Sequence, residues 1–121
     1  MQAEWDQYIS AWDKAGRQKK EYNLMLAKKA YQQAKFMASI LGKEFGARRV
    51  YLFGSLLRPE YFDEGSDIDL GVEGLAPNLF LKAERRLEEV TDFPFDLVDI
   101  NEIIPSLAEV IYNEGEILYA G

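Results

Sequence analysis

Cysteine and histidine are both absent from this chain of 121 residues. Without them there are no disulfides, thiol nucleophiles, histidine bases, serine-histidine triads or ordinary zinc sites. Carboxylates, lysine, arginine, tyrosine and the backbone remain for chemistry. Transfer of phosphorus-containing groups tolerates so sparse a set, because it depends on positioning and on charge stabilisation by metal ions more than on covalent help. The pattern Gly-x-x-x-x-Gly-Lys is also missing, which makes a P-loop nucleotide hydrolase a poor description. No apolar run is long enough to cross a bilayer and no secretory leader is recognisable, so a soluble, cytoplasmic protein with no membrane partner is expected. A chain of this length is expected to form one domain with a real core, and to be too short for a catalytic domain plus a separate substrate domain.

Positive charge is scarce after residue 49. Residues 50–121 carry four Lys/Arg against sixteen Asp/Glu, whereas residues 1–49 carry ten against five. So acidic a region calls for cations at its centre and would repel a nucleic-acid backbone, so no direct nucleic-acid partner is expected for it. Lys14, Arg17, Lys19, Lys20, Lys28 and Lys29 either contact an acidic protein or RNA, or form a solvated helix face.

Periodicity organises the rest. Trp5, Tyr8, Ile9 and Trp12 recur at helical steps and predict a short amphipathic helix, with Gly16 as its break. The two tryptophans are either core or an anchor for a partner. A second helix is predicted from about Arg17 to Phe45, with Leu24, Ala27, Tyr31, Ala34, Ala38, Leu41 and Phe45 on one stripe and Gly46 as its stop. Further on, the pattern predicts a strand at Arg49–Phe53, a turn and short helix over Ser55–Glu60, and a strand from Asp67 to about Val72. A helix over Leu79–Val90, a strand over Phe95–Ile100, a helix over Ile103–Tyr112 and a strand over Ile117–Tyr119 complete an α/β alternation on a mixed sheet. Pro59 to Gly65 reads as a loop beside the site.

The chemistry is concentrated between Val50 and Val72. An apolar run stops at Gly54-Ser55, and a second carries Asp67 and Asp69 within Ser66-Asp67-Ile68-Asp69-Leu70-Gly71-Val72. On a strand the two aspartates point to one side while Ile68, Leu70 and Val72 point to the other. Carboxylates so close repel unless a hard cation such as Mg2+ sits between them. The alternative is the solvated face of an edge strand. A turn at Gly54 exposes backbone N–H groups to phosphate oxygens, Ser55 adds a hydroxyl and Arg58 a fork of donors. The alternative there is Ser55 as a helix N-cap. Asp96, set among apolar residues, is the third carboxylate of choice, with a plain edge-strand residue as its alternative; Asp99 and Asn101 are accounted for by a helix cap. The combination points to nucleotidyl transfer.

Gly54-Ser55, Asp67-x-Asp69 and Asp96 resemble the active-site pattern of the DNA polymerase beta superfamily of nucleotidyltransferases. The resemblance runs from Arg48 to about Tyr119, and the short chain is similar to the minimal nucleotidyltransferase (MNT) group, often the antitoxin half of HEPN/MNT pairs. The segment between Ser55 and Asp67 is one residue longer than that group's usual spacing. The resemblance implies a polymerase-beta-like α/β (α+β) fold, a small mixed sheet flanked by helices, with residues 1–46 as N-terminal helices packed on or extending the domain and 47–121 as the core. It implies Asp67, Asp69 and Asp96 as catalytic residues and ligands of two Mg2+ ions, and Gly54, Ser55, Arg58 and Ser66 at the nucleotide, with ATP as substrate. The implied activity is AMP transfer to a hydroxyl, by analogy a tyrosine of a HEPN ribonuclease toxin held in a hetero-oligomer. Two rivals stay open: an antitoxin that only binds, and a homodimeric small-molecule nucleotidyltransferase.

Overall fold

The structure is a computed structural model that describes residues 2–121, with side chains described for Lys14 and for residues 16–121. Helix α1 (Gln2–Lys43) leads into strand β1 (Arg49–Phe53), and two 3-10 turns at Gly54–Leu57 and Pro59–Tyr61 precede β2 (Ile68–Glu73). A third 3-10 turn at Pro77–Leu79 opens α2 (Phe80–Val90); β3 (Phe95–Asp99), α3 (Pro105–Glu114) and β4 (Glu116–Ala120) follow. The four strands lie in the order β3-β2-β1-β4, with β2 parallel to β3 and the other pairs antiparallel. This is the small mixed sheet flanked by helices that the alternation predicts.

Gly16 does not break the first helix: α1 is continuous from Gln2 to Lys43. Glycine inside a helix costs only about 1 kcal/mol, and here its neighbours Lys14, Ala15, Arg17, Gln18, Lys19 and Lys20 are good helix formers. Trp5 and Trp12, expected to be core or a partner anchor, lie outside the described side chains. The stop near Gly46 is found two residues early, with the Gly46 N–H donating to the Gly42 carbonyl and the Ala47 N–H to that of Leu41. The predicted stripe holds at Ala27, Ala34, Ala38 and Leu41, all buried, but Leu24 is exposed, and Ala30, Met37 and Ile40 join the buried set. The stripe is wider than a three-and-four spacing because α1 lies across a sheet rather than against one helix.

Helices α1 and α2 cover one face of the sheet, where Val50, Leu52, Ile68, Leu70, Val72 and Leu97 form the main core with Ala83 and Leu87. On the other face α3 seals a smaller cluster of Tyr51, Ile100 and Ile111. The short helix expected over Ser55–Glu60 is two 3-10 turns, because Pro59 lacks the N–H that would continue a helix through Arg58. Asp99 caps no helix: its Oδ1 accepts the Asn101 N–H 3.0 Å away, and α3 begins after Ile104 without a side-chain cap.

Three contacts fix the direction of α1. A Cβ on Gly42 would fall inside the Tyr119 ring, and Tyr119 pairs with Val50 near the start of β1. Tyr31 donates to Glu116, which pairs with Leu52 near the end of β1. Tyr22 donates to Glu64 at 2.7 Å, in the loop beyond the sheet. Read from Gly42 to Tyr22, α1 climbs toward the end of the sheet where β1 stops.

Candidate active site

That end of the sheet collects the sequence-derived residues. β1 finishes at Phe53, opposite Asp69, and Gly54 follows in a left-handed conformation with φ of 79°. A side chain there would collide with Asp69 Oδ2, so glycine is needed both for the backbone and for the approach of the carboxylate. β2 and β3 run parallel from the same end, and their register sets Asp69 beside Asp96. Ile68, Leu70 and Val72 are fully buried on the opposite face, as the alternation requires.

β2 lies between β1 and β3, which removes the edge-strand alternative for Asp67 and Asp69. Burial pushes the Asp69 carboxyl up to about 6, and the charges of Asp96 and Asp67 add to the effect. Asp69 therefore feels both neighbouring acids. Asp67 and Asp96 are exposed, so the expectation that Asp96 sits among apolar residues is not met: β3 is an edge strand, and Asp96 lies near its start in register with Asp69. Among the described residues, no three acids form a ready cation cage. As a donor set the residues nonetheless fit Mg2+, which takes hard carboxylate oxygens, and a cation there would offset the burial and the repulsion that together hold Asp69 up.

Of the other expected residues, Ser55 is not an N-cap; Phe53 holds that position without a side-chain hydrogen bond. Arg58 is exposed just past the turn, its N–H donating to the Ser55 carbonyl. Ser66 is turned to its own loop, where its Oγ accepts the Asp63 N–H at 3.1 Å and donates to Asp63 Oδ1 at 3.2 Å. The same Oδ1 accepts the Gly65 N–H at 2.9 Å, so residues 63–66 form a self-bonded bend leading into Asp67.

Sequence reasoning missed two features. Glu73, at the far end of β2, is a buried acid held by Arg48 at 3.0 Å, Arg49 at 3.6 Å and the Tyr112 hydroxyl at 2.5 Å. An acid closing an apolar strand, with two arginines opening its neighbour, was the available signal. The second is a cavity of about 530 Å3 beside the site, lined by Lys19, Tyr22, Asn23, Asp63, Glu64 and Gly65. No local pattern marks it, because its walls are 40 residues apart in sequence.

The family model described as "Polymerase beta, Nucleotidyltransferase" matches residues 35–121. A solved structure of a minimal nucleotidyltransferase is similar at 29% identity and a TM-score of 0.61, covering 74% of this chain and 93% of that one. A toxin-antitoxin structure with AMP-PNP matches at 23% identity and a TM-score of 0.58, over 72% of this chain and 73% of that one. A complex of a tri-AMPylated Shewanella oneidensis HEPN toxin with an MNT antitoxin matches at 22% and 0.56, over 76% and 73%. No match is found among the curated proteins.

Proposed function

Since this chain belongs to the polymerase beta nucleotidyltransferase family, we propose that it transfers AMP from ATP to a hydroxyl, by preference a tyrosine, of a partner HEPN ribonuclease toxin and so acts as its antitoxin. One observation supports the catalytic part: Asp69 on β2 stands in register with Asp96 on the parallel β3, behind the left-handed Gly54 turn and with Asp67 just ahead of β2 close enough to raise its pKa. The fold likeness to a complex with a tri-AMPylated HEPN toxin supports the acceptor class.

In this reading the backbone of the Gly54-Ser55 turn and the Ser55 hydroxyl receive the triphosphate, and Arg58 reaches its outer phosphates. Asp67, Asp69 and Asp96 would hold Mg2+, which when bound neutralises the phosphates and stabilises the attacking and leaving oxygens. Asp96, exposed on the edge strand, accepts the proton of the incoming hydroxyl. The hydroxyl oxygen bonds to the α-phosphorus as the bond to the β-phosphate oxygen breaks, and pyrophosphate leaves. Asp69, half-buried behind Gly54, keeps its place through the rigid pairing of β2 with both neighbours. Ser66 acts indirectly, by holding the bend that aims Asp67.

The test is the intact mass of the HEPN protein encoded beside this chain after incubation with it, ATP and Mg2+. A gain of one or more AMP units, lost with Asp67→Asn, is expected. Retained transfer in Asp67→Asn or Asp69→Asn would sink the site; co-elution without any gain would favour an antitoxin that only binds.

A further inference from the structure

The most prominent feature left unused by the proposed reaction is the N-terminal half of α1. α1 contacts the sheet end at Tyr31 and the 63–66 bend at Tyr22, and the first buried residue described along it is Ala27. The stretch from Gln2 to Asn23 therefore runs beyond the sheet for about 33 Å at the usual helical rise. It leaves from the end that carries Gly54, Asp67, Asp69 and Asp96, not from the opposite end. The family model begins only at residue 35, so this stretch is not part of what defines the catalytic domain.

Its surface is unlike that of the domain. Residues 14–29 hold six Lys/Arg against one Glu, whereas residues 50–121 hold four against sixteen. Lys14, Lys19, Lys20, Lys28 and Lys29 are exposed, and interleaved with them are the exposed apolar side chains of Tyr22, Leu24 and Met25. Two hollows flank its root. One is the open cavity spanned by the Tyr22–Glu64 hydrogen bond, whose wall includes Gly65, two residues before Asp67 in sequence. The other, of about 340 Å3, is apolar and lies between Leu24, Ala27 and Tyr31 of the helix and Leu56 and Pro59 of the turns after Ser55.

We infer that the projecting half of α1 is a docking arm that seats an acidic, partly apolar protein surface over the catalytic end of the sheet. The identity of that protein as the AMP acceptor rests on the function proposed above. An acidic acceptor would be repelled by the domain alone, so the arm supplies the charge complementarity that the domain lacks. The exposed Leu24 and Met25 and the apolar hollow favour a protein over a nucleic acid, which would want cations and stacking platforms rather than aliphatic side chains. An arm rooted beside Asp67 also solves an orientation problem: anything bound along it is held next to the carboxylates.

The experiment uses the full chain carrying Lys19→Glu, Lys20→Glu and Leu24→Asp together, all three at exposed positions. Affinity for the adjacent-gene HEPN protein is measured by calorimetry, and nucleotide affinity with AMP-PNP and Mg2+ as probe. A control variant carrying Leu81→Asp, Lys82→Glu and Arg85→Glu makes the same charge change at exposed positions of α2. The expected result is acceptor binding weakened on the order of tenfold or more by the triple variant, with the control and nucleotide affinity unchanged. Equal acceptor affinity in wild type and triple variant overturns the arm, as does wild type that does not bind the acceptor. Changes confined to self-association would assign the arm to a second copy, and changes confined to RNA binding would assign it to nucleic acid; either overturns the proposal. Wild type that binds through the arm yet transfers no AMP would leave the arm standing and remove the catalytic reading.

Discussion

Asp69 shows how a single side chain is tuned at the expense of the fold. In the unfolded chain its carboxyl ionises at its ordinary value of 3.8, while in the folded protein it is held up to about 6 by burial and by Asp96 and Asp67. Between those values the unfolded state has already lost the proton that the folded state keeps, so stability falls as pH rises through this window. Above about 6 the loss is complete. Two units correspond to about 3 kcal/mol in full, and because the group is only half-buried, solvent screening reduces this to roughly 1–2 kcal/mol. Asp69→Asn is therefore expected to abolish transfer and yet raise stability by about that amount at pH 7.5 without divalent cations, with no gain below pH 3.5. Urea melts of both proteins at the two pH values check it, and an Asn variant less stable at pH 7.5 would contradict the repulsion. Gly54→Ala should do the reverse, losing about 1–2 kcal/mol to left-handed strain and displacing Asp69 Oδ2, with transfer lost as well. A variant that keeps both activity and stability would remove the turn from the site.

At the scale of elements, the strand containing Glu73 meets opposite electrostatics at its two ends. Its first residues meet like charges, and its last is an acid whose ionised form is favoured by the Tyr112 hydroxyl and then by Arg48 and Arg49. Because this holds Glu73 below its ordinary value, the clamp contributes above that value and is lost as the medium turns acid. Removing the hydroxyl in Tyr112→Phe should cost about 1–3 kcal/mol at neutral pH and much less near pH 3, read from denaturant midpoints at the two conditions. The clamp was only partly legible in the sequence: an acid ending one apolar strand and arginines opening another hint at it, but Arg49 meets Glu73 only through the β1–β2 register and Tyr112 arrives from α3. β1 was legible to the residue, since a short apolar run bounded by Arg49 and Gly54 is a local signal. Asp67 and Asp69 were legible as a pair, but that Asp96 stands in register with Asp69 depends on a parallel pairing 27 residues apart. Gly16 misled because glycine is only a weak helix breaker, outweighed by the helix formers around it.

For the whole molecule the decisive property is the separation of charge, basic along the first 49 residues and acidic over the rest. The basic helix meets the acidic domain where Tyr22 donates to Glu64 and Lys19 shares a cavity wall with Asp63 and Glu64, while Lys20, Lys28 and Lys29 stay exposed. Such a dipolar arrangement should speed and orient the approach of an acidic partner along the arm while leaving the reaction step to the carboxylates. Exposed charges more than about 10 Å apart are largely screened at 0.1 M salt, whereas a cation held between carboxylates is screened far less. Raising NaCl from 0.05 to 0.5 M is therefore expected to lower the association rate with the proposed HEPN partner by about tenfold, with little change in the rate of the proposed AMP transfer once the complex is saturated. Stopped-flow association and single-turnover transfer at the two salt concentrations separate the effects. A transfer rate that falls as steeply as association would mean that the arm's charge acts in the reaction step itself, and a salt-independent association rate would mean that the basic face of α1 takes no part in recognition.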